Sequence, residues 1–246
     1  MISQILEAWK TTPAADTPVQ KYTCRFCNKA FVKESTLTSH VCEKKRRHQQ
    51  EKEVAVQWGL QSYVLFYNST QTTSKPKSYQ DFCDSPYYLA FVKFGRYCLD
   101  IKCANFLSFT QWLLKNNKKL DYWCSDKLYE EWLLDYIKRE PVDGALERGL
   151  KEMSEYAIKN TELKNGYVDY FRYGNVNRVI HHISTGRISP WVVYNCTTGV
   201  EFLEQLSEDQ LSIILPWIDP NYWNPKFKDN QEDVKWARQL LATAGL

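Results

Sequence analysis

The sequence lacks the features that mark membrane-spanning and secreted proteins. It contains no run of roughly eighteen apolar residues, which is about the length that a helix needs to cross a bilayer. Its N-terminus does not carry a basic segment followed by an apolar stretch, so we expect no signal peptide. These absences predict an intracellular, cytoplasmic protein that has no membrane partner.

Signatures of the common catalytic classes are also missing. The chain has no Gly-rich phosphate loop, no nucleophile elbow and no HExxH zinc-protease pattern. His181 and His182 precede Gly186 and several hydroxyl residues, which could serve hydrolysis. The same pattern is more typical of a helix C-terminus that ends with Gly186 in the left-handed conformation. An enzyme is therefore the less favoured class.

Composition is that of an ordinary globular protein. The 246 residues are 43% hydrophobic and 25% charged, which is enough for one large core and a small metal module. Of the eight cysteines, five lie within apolar or aromatic stretches and are predicted to be buried free thiols rather than disulfides. These five are Cys83, Cys98, Cys103, Cys124 and Cys196.

The segment from Tyr22 to His40 carries the strongest motif in the chain. Cys24 and Cys27 are three positions apart, and His40 follows thirteen positions after Cys27. Phe31 and Leu37 lie where a small finger places its only core residues. The segment resembles the two-cysteine, two-histidine zinc fingers. That resemblance implies a ββα unit that binds one Zn²⁺ ion.

The fourth ligand departs from the family pattern. The positions for a second histidine, 44–46, hold Lys, Lys and Arg. Cys42 and His48 are the candidates, yet on an unbroken helix residues two apart point in nearly opposite directions and residues eight apart are separated by about 12 Å. We prefer Cys42, which requires the helix to tighten or break just after His40. His48, or a site completed by water, remains an alternative.

The resemblance also implies which residues would contact DNA. With the helix starting near Glu34, the base-reading positions would be Lys33, Thr36 and Ser39. Lys33 could donate to guanine, whereas Thr36 and Ser39 would discriminate weakly. One finger covers about three base pairs, so we expect little sequence selectivity.

A basic run follows the finger. Residues 20–52 contain nine Lys and Arg residues against three Glu residues, whereas the whole chain has a net charge of only +3. Lys44, Lys45, Arg46 and Arg47 are predicted to contact phosphates. The expected partner is nucleic acid, DNA rather than RNA.

The remainder predicts a mainly α fold with at most a minor sheet. We divide the chain into an amphipathic segment and linker (1–20), the finger with a basic helical extension (21–60) and a mainly helical, aromatic-rich domain (61–246). The N-terminal segment or the helical domain is expected to bind a protein partner. Segment 62–68 is interpreted as a strand or a helix end, and 191–194 as a strand or buried turn. Helices are predicted at 43–60, 106–115, 126–138 (capped by Ser125), 145–159, 167–183, 200–206, 208–217 and 233–244.

Two further segments, 87–96 and 186–194, resemble an uncharacterised protein family of T-even-type tailed phages. This resemblance implies the cytoplasm of an infected bacterium, and it brings no activity, fold or functional residues to carry over. Together the patterns favour a non-catalytic, zinc-finger nucleic-acid-binding accessory protein acting in transcription, replication or DNA processing. The alternatives are a nucleic-acid-processing enzyme such as a nuclease, and a protein–protein adaptor with a docking finger.

Overall fold

The structure is a computed structural model that describes residues 22–71 and 75–246. The predicted amphipathic segment and linker, 1–20, lie outside these residues. Within them the mainly α fold is confirmed, since they form fifteen α-helices and a single two-stranded sheet. None of the described helices combines the length and apolar character needed to cross a bilayer.

The N-terminal unit has the predicted ββα order. Strands β1 (Tyr22–Thr23) and β2 (Ala30–Phe31) pair antiparallel, with Tyr22 opposite Phe31. Helix α1 (Glu34–Ser39) follows and contacts both strands. We call residues 22–42 the metal module.

The chain leaves this module through two helices rather than the single predicted one. Helix α2 (Glu43–Gln49) is separated by a short turn from α3 (Val54–Thr70). Segment 62–68, which the sequence left open between strand and helix, lies within α3. The division of the chain at residue 60 stays a prediction, and α3 runs through that position.

The first half of the helical body surrounds α3. Its helices are α4 (Tyr79–Asp84), α5 (Tyr88–Asp100), α6 (Phe106–Lys115) and α7 (Asp126–Tyr136). Ser125 caps α7 as predicted, by accepting a hydrogen bond from the Leu128 N–H. Helix α3 packs very closely on α5, because a Cβ on Gly95 would lie only 2.1 Å from the Ala55 carbonyl oxygen. Trp123 is fully buried beside this pair.

The second half begins with the long helix α8 (Val142–Lys159). The predicted helix 167–183 is instead three pieces: a 3₁₀ turn, then α9 (Tyr170–Tyr173) and α10 (Val176–Ser184), separated at Gly174 and Asn175. The Asn175 side chain caps α10, which explains the new start. Segment 191–194 is neither strand nor turn but falls mainly in the short helix α11 (Pro190–Val193), where Pro190 occupies the first turn.

Four helices complete the body: α12 (Thr197–Glu204), α13 (Glu208–Ile218), α14 (Pro220–Asp229) and α15 (Gln231–Thr243). A second aromatic cluster forms where α11 meets α14, with Trp191 and Trp223 buried and Phe227 packed against both. The predicted pair 200–206 and 208–217 matches α12 and α13 in order, with α12 beginning earlier.

Candidate metal centre

Four metal-ligating side chains converge in the module. The ligand atoms of Cys24, Cys27, His40 and Cys42 all lie within 4.8 Å of one another. The sulfur atoms of Cys24 and Cys42 are 4.0 Å apart, and the Cys27 sulfur is 3.3 Å from His40 Nε2. This Cys₃His cluster is close enough to hold one metal ion.

A tight turn presents the first two thiols. Asn28 adopts the left-handed conformation (φ 58°), which asparagine tolerates better than most residues. Its N–H donates to the Cys24 carbonyl at 2.8 Å, and the Cys24 N–H donates to the Lys29 carbonyl at 2.9 Å. The turn therefore folds the chain back so that both sulfur atoms lie on the same side.

A helix break presents the other two ligands. Helix α1 ends at Ser39, and His40 already has an extended ψ of 119°. Cys42 then becomes the N-cap of α2, and its sulfur accepts a hydrogen bond from the Lys45 N–H at 3.4 Å. The break turns Cys42 towards His40, which an unbroken helix would not permit.

The donor set fits a tetrahedral zinc ion. With Zn–S bonds of about 2.3 Å, tetrahedral geometry places two sulfur ligands about 3.8 Å apart, close to the spacing seen between Cys24 and Cys42. Hydrogen bonds from the backbone N–H groups of Cys27 and Phe26 lower the pKa of the Cys24 thiol to about 7, because they stabilise the thiolate that a metal binds.

His48 lies outside this cluster. Its ring packs 5.0 Å from the ring of Phe26 and 5.8 Å from that of Tyr79, measured between centroids. Tyr79 begins helix α4 of the body, so His48 fills the seam between module and body. Cys42, and not the alternative His48, is the residue that the fold brings to the other three ligands.

The predicted base-reading residues lie on one short helix. Lys33, Thr36 and Ser39 are all exposed, with Lys33 at the N-cap of α1. The Ser39 hydroxyl donates to the Thr36 carbonyl at 3.3 Å. Because they are exposed, these side chains are accessible to a partner. Helix α1 itself is short, with only six residues.

The residues of the basic run form ion pairs and hydrogen bonds within the protein that were not predicted from the sequence. Lys44 forms a 2.7 Å ion pair with Asp84, and Lys45 Nζ donates to the His40 carbonyl at 3.1 Å. Arg46 pairs with Glu43 on the same helix. These contacts help to hold α2 in place. They also leave fewer unpaired positive charges than the number of Lys and Arg residues in the run suggests.

Arg47 makes the main contacts that hold α2 to the helical body. Its guanidinium donates to the Cys83 carbonyl at 2.7 Å and lies 4.5 Å from the centre of the Tyr88 ring, and only 15% of its side chain is exposed. Its backbone carbonyl accepts a hydrogen bond from the Tyr79 hydroxyl. Sequence reasoning missed this role because the partners lie more than thirty residues further along the chain.

The module carries further cations that the sequence analysis did not single out. Arg25 and Lys29 are exposed, as is Lys33. None of the three forms an ion pair with any residue in the described parts of the chain. The available signal was their position inside the finger motif, since Arg25 lies in the turn after β1 and Lys29 just before β2.

The histidine pair occupies the end of α10, as the helix C-terminus interpretation requires, and Gly186 has the left-handed φ of 72°. His182 is buried, and its Nδ1 lies 2.7 Å from the Tyr170 hydroxyl.

All eight cysteines are free thiols. Of the five outside the module, Cys83, Cys98 and Cys196 are buried, and Cys103 and Cys124 are half-buried.

Comparisons with protein-family models, with curated proteins and with solved structures find no match to this chain, so they lend no support to the phage resemblance.

Proposed function

We propose that the protein is a non-catalytic nucleic-acid-binding accessory factor, acting in transcription, replication or DNA processing. One zinc ion, held by Cys24, Cys27, His40 and Cys42, would fold the module that contacts the nucleic acid. The donor set supports zinc, because thiolate and imidazole ligands in a compact four-ligand group are typical of structural zinc sites.

The exposed cations of the module carry the proposal. Arg25, Lys29 and Lys33 are free of carboxylate partners among the described residues, so their full charge is available to phosphates. Lys44 and Arg46 add to this charge, since about half of each side chain is exposed and their carboxylate partners can be exchanged for phosphate oxygens.

The side chains of α1 that would contact bases favour weak selectivity for DNA sequence. Lys33, Thr36 and Ser39 offer one cation and two hydroxyl groups, which accept many base sequences. A helix of this kind suits the major groove of DNA better than the deep, narrow major groove of duplex RNA. We therefore expect DNA to be the preferred partner, with binding that depends more on salt than on sequence.

Fluorescence anisotropy across a salt series tests the proposal. The intact protein, with its zinc content measured on the same sample, is titrated with duplex DNA, single-stranded DNA and RNA. Changing Arg25, Lys29 and Lys33 to Gln should reduce the slope of log affinity against log salt by about 2.7 when all three contact phosphates, and by about 1.8 when Lys33 contacts guanine instead. The matched control changes three exposed lysines of the body, Lys119, Lys228 and Lys235, to Gln.

Three results would count against the proposal. Equal losses in the two triple variants would indicate a general charge effect rather than a module surface. Nucleic-acid affinity that persists after the metal is removed would show that binding does not require the folded module. One bound zinc ion with no affinity for nucleic acid at low salt would leave the protein–protein adaptor as the function.

A further inference from the structure

A charged cleft lies on the helical body, away from the metal module. It is formed by α8, by the N-terminal end of α10 and by the residues that follow α5, and its volume is about 530 Å³. Its charged and amide-bearing lining residues include Lys102, Glu152, Lys159, Asn175, Arg178 and Arg187. No step of the proposed function uses it.

The floor of the cleft is a buried ionic network centred on Glu152, which is 8% exposed. One oxygen of this carboxylate accepts from Lys102 Nζ at 2.6 Å. The other lies 3.5 Å from His182 Nε2 and 3.8 Å from the Arg187 guanidinium. On its far side, the His182 ring is held by the Tyr170 hydroxyl at 2.7 Å. The floor is therefore rigid and polar.

The two carboxylates of the cleft are already engaged. Lys102 Nζ lies 2.6 Å from Glu152 and 2.7 Å from Glu155, so a single ammonium group bridges both. Lys102 adopts the left-handed conformation (φ 52°) immediately after α5, a strained geometry for a residue with a side chain. This conformation closes the C-terminal end of α5, where the Cys103 N–H donates to the Cys98 carbonyl at 2.8 Å.

Among the described residues, two cations remain unpaired for a ligand, and a third, Arg187, is partly engaged: its terminal nitrogens lie 3.8 Å from the Glu152 carboxylate and 3.3 Å from the Ile101 carbonyl oxygen. Lys159 and Arg178 are exposed at the rim and form no ion pair with any described residue. Arg187 Nε is buried and has no hydrogen-bond partner within the described structure. A buried N–H without an acceptor is costly, so an acceptor supplied by a ligand would relieve that cost.

The electrostatic balance of the cleft is positive. Four cations face two carboxylates, and His182 adds no charge near neutral pH. Burial lowers the pKa of His182 to about 3, and the positive charge of Arg187 lowers it further in the same direction. An anion entering the cleft would therefore meet a net charge of about +2 at neutral pH.

We propose that this cleft binds a phosphate monoester. Arg178 and Arg187 would donate to the phosphate oxygens, and Lys159 would neutralise charge at the rim. Two unpaired cations and the Arg187 guanidinium suit a dianion with three terminal oxygens better than a carboxylate. The volume leaves room for an organic group the size of a nucleoside.

Calorimetric titration at constant ionic strength tests the site on the intact, zinc-loaded protein. The probes are inorganic phosphate, adenosine monophosphate and adenosine. Phosphate and the monophosphate should bind, and adenosine should bind at least tenfold more weakly than the monophosphate. Changing Lys159 and Arg178 to Gln should weaken binding of both phosphate probes at least tenfold. The control changes Lys164 and Arg172, two exposed cations of neighbouring segments, to Gln and should leave binding unaltered.

A second readout follows Arg187 directly. Its Nε–H resonance, assigned with Arg187→Lys, should shift when inorganic phosphate is added, because the buried donor gains an acceptor. The shift should persist in the variant that changes Arg25, Lys29 and Lys33 to Gln, which separates this cleft from the module. In that background, a single strand with a 5′-phosphate that binds more tightly than the same strand without it would identify a nucleic-acid end as the source of the monoester. Equal binding of the two strands would identify a small molecule.

The proposal is overturned by any of three results. These are adenosine binding as tightly as adenosine monophosphate, unchanged phosphate affinity after both rim cations are removed, and no binding of inorganic phosphate at about 10 mM.

Discussion

The metal module and the helical body are held together by different physical means. Within the module Cys24 is the only buried residue among those described, and Phe31 and Leu37 are only half-buried. The body instead buries large side chains completely, such as Trp123 and Phe94. A chain of ordinary composition thus contains one unit with almost no buried core, which we expect a bound metal to stabilise, and another that relies on apolar burial.

The difference follows from size. A segment of about twenty residues has too little apolar surface to offset the entropy lost on folding, so it needs cross-links or a metal. The body has enough residues to enclose two aromatic clusters, one around Trp123 and one around Trp191 and Trp223. Removing the metal or one of its ligand residues should therefore affect the metal module, whereas substitutions that disturb packing should affect the helical body.

The largest expected effect is that of zinc removal on the module. Structural zinc contributes about 10 kcal/mol to the folding of small fingers, so chelation, or Cys27→Ser, should abolish the order of residues 22–42. Hydrogen exchange read by mass spectrometry should show loss of protection there and unchanged protection in α5 and α8. Cys124→Ser, outside the cluster, is the control. Protection of the module that survives without metal would show that its apolar contacts suffice.

The next effect concerns packing in the body. Gly95→Ala should destabilise the protein by about 3 kcal/mol, because its Cβ would lie 2.1 Å from the backbone oxygen of Ala55 and α3 would have to move away from α5. Gly144→Ala is the control, since a Cβ at this position in α8 meets nothing within 4 Å and should stabilise the protein by about 0.5 kcal/mol. Urea unfolding followed by tryptophan fluorescence measures both, and equal stabilities would contradict the close approach of α3 and α5.

The smallest effect is expected at the junction. Arg47→Gln should cost about 2 kcal/mol, because it removes charged hydrogen bonds to the Cys83 and Ser85 carbonyls and the contact with the Tyr88 ring. Arg46→Gln, one position earlier and exposed, should change stability little. Hydrogen exchange of residues 43–49 should rise in the first variant alone. If both variants exchange alike, α2 is not fastened to the body by Arg47.

Much of the module could be predicted from the sequence because its determinants are local. The four cluster residues lie within nineteen positions, and the only structural assumption was a break after His40, which the structure contains. Helix 106–115 was predicted with its observed bounds, because its amphipathic pattern is clear. The DNA-contacting roles of Lys33, Thr36 and Ser39 stay predictions.

Other elements depended on distant contacts that no local pattern reveals. Residues 191–194 are apolar enough for a strand, yet their burial against α8 and α15 accommodates a short helix. The interruption at Gly174 has a local cause instead, since a Cβ there would lie 2.2 Å from the Tyr170 carbonyl oxygen and the Asn175 side chain caps the next helix. Periodicity alone favoured one continuous helix through this region.

By itself the sequence determined a mainly helical chain with Cys24, Cys27 and His40 at ligand spacing near its start, because ligand spacing and helix periodicity are written in neighbouring residues; the tertiary structure then brought Cys42, rather than His48, to these three. Only the tertiary structure decided which cations are free. It ties Arg47 to carbonyl groups some forty positions away, leaves Arg25 and Lys29 exposed, and assembles Lys102, Glu152 and Arg187 from three separate segments. Electrostatic contacts depend on distance in space, and the chain brings such residues together only when its apolar core closes.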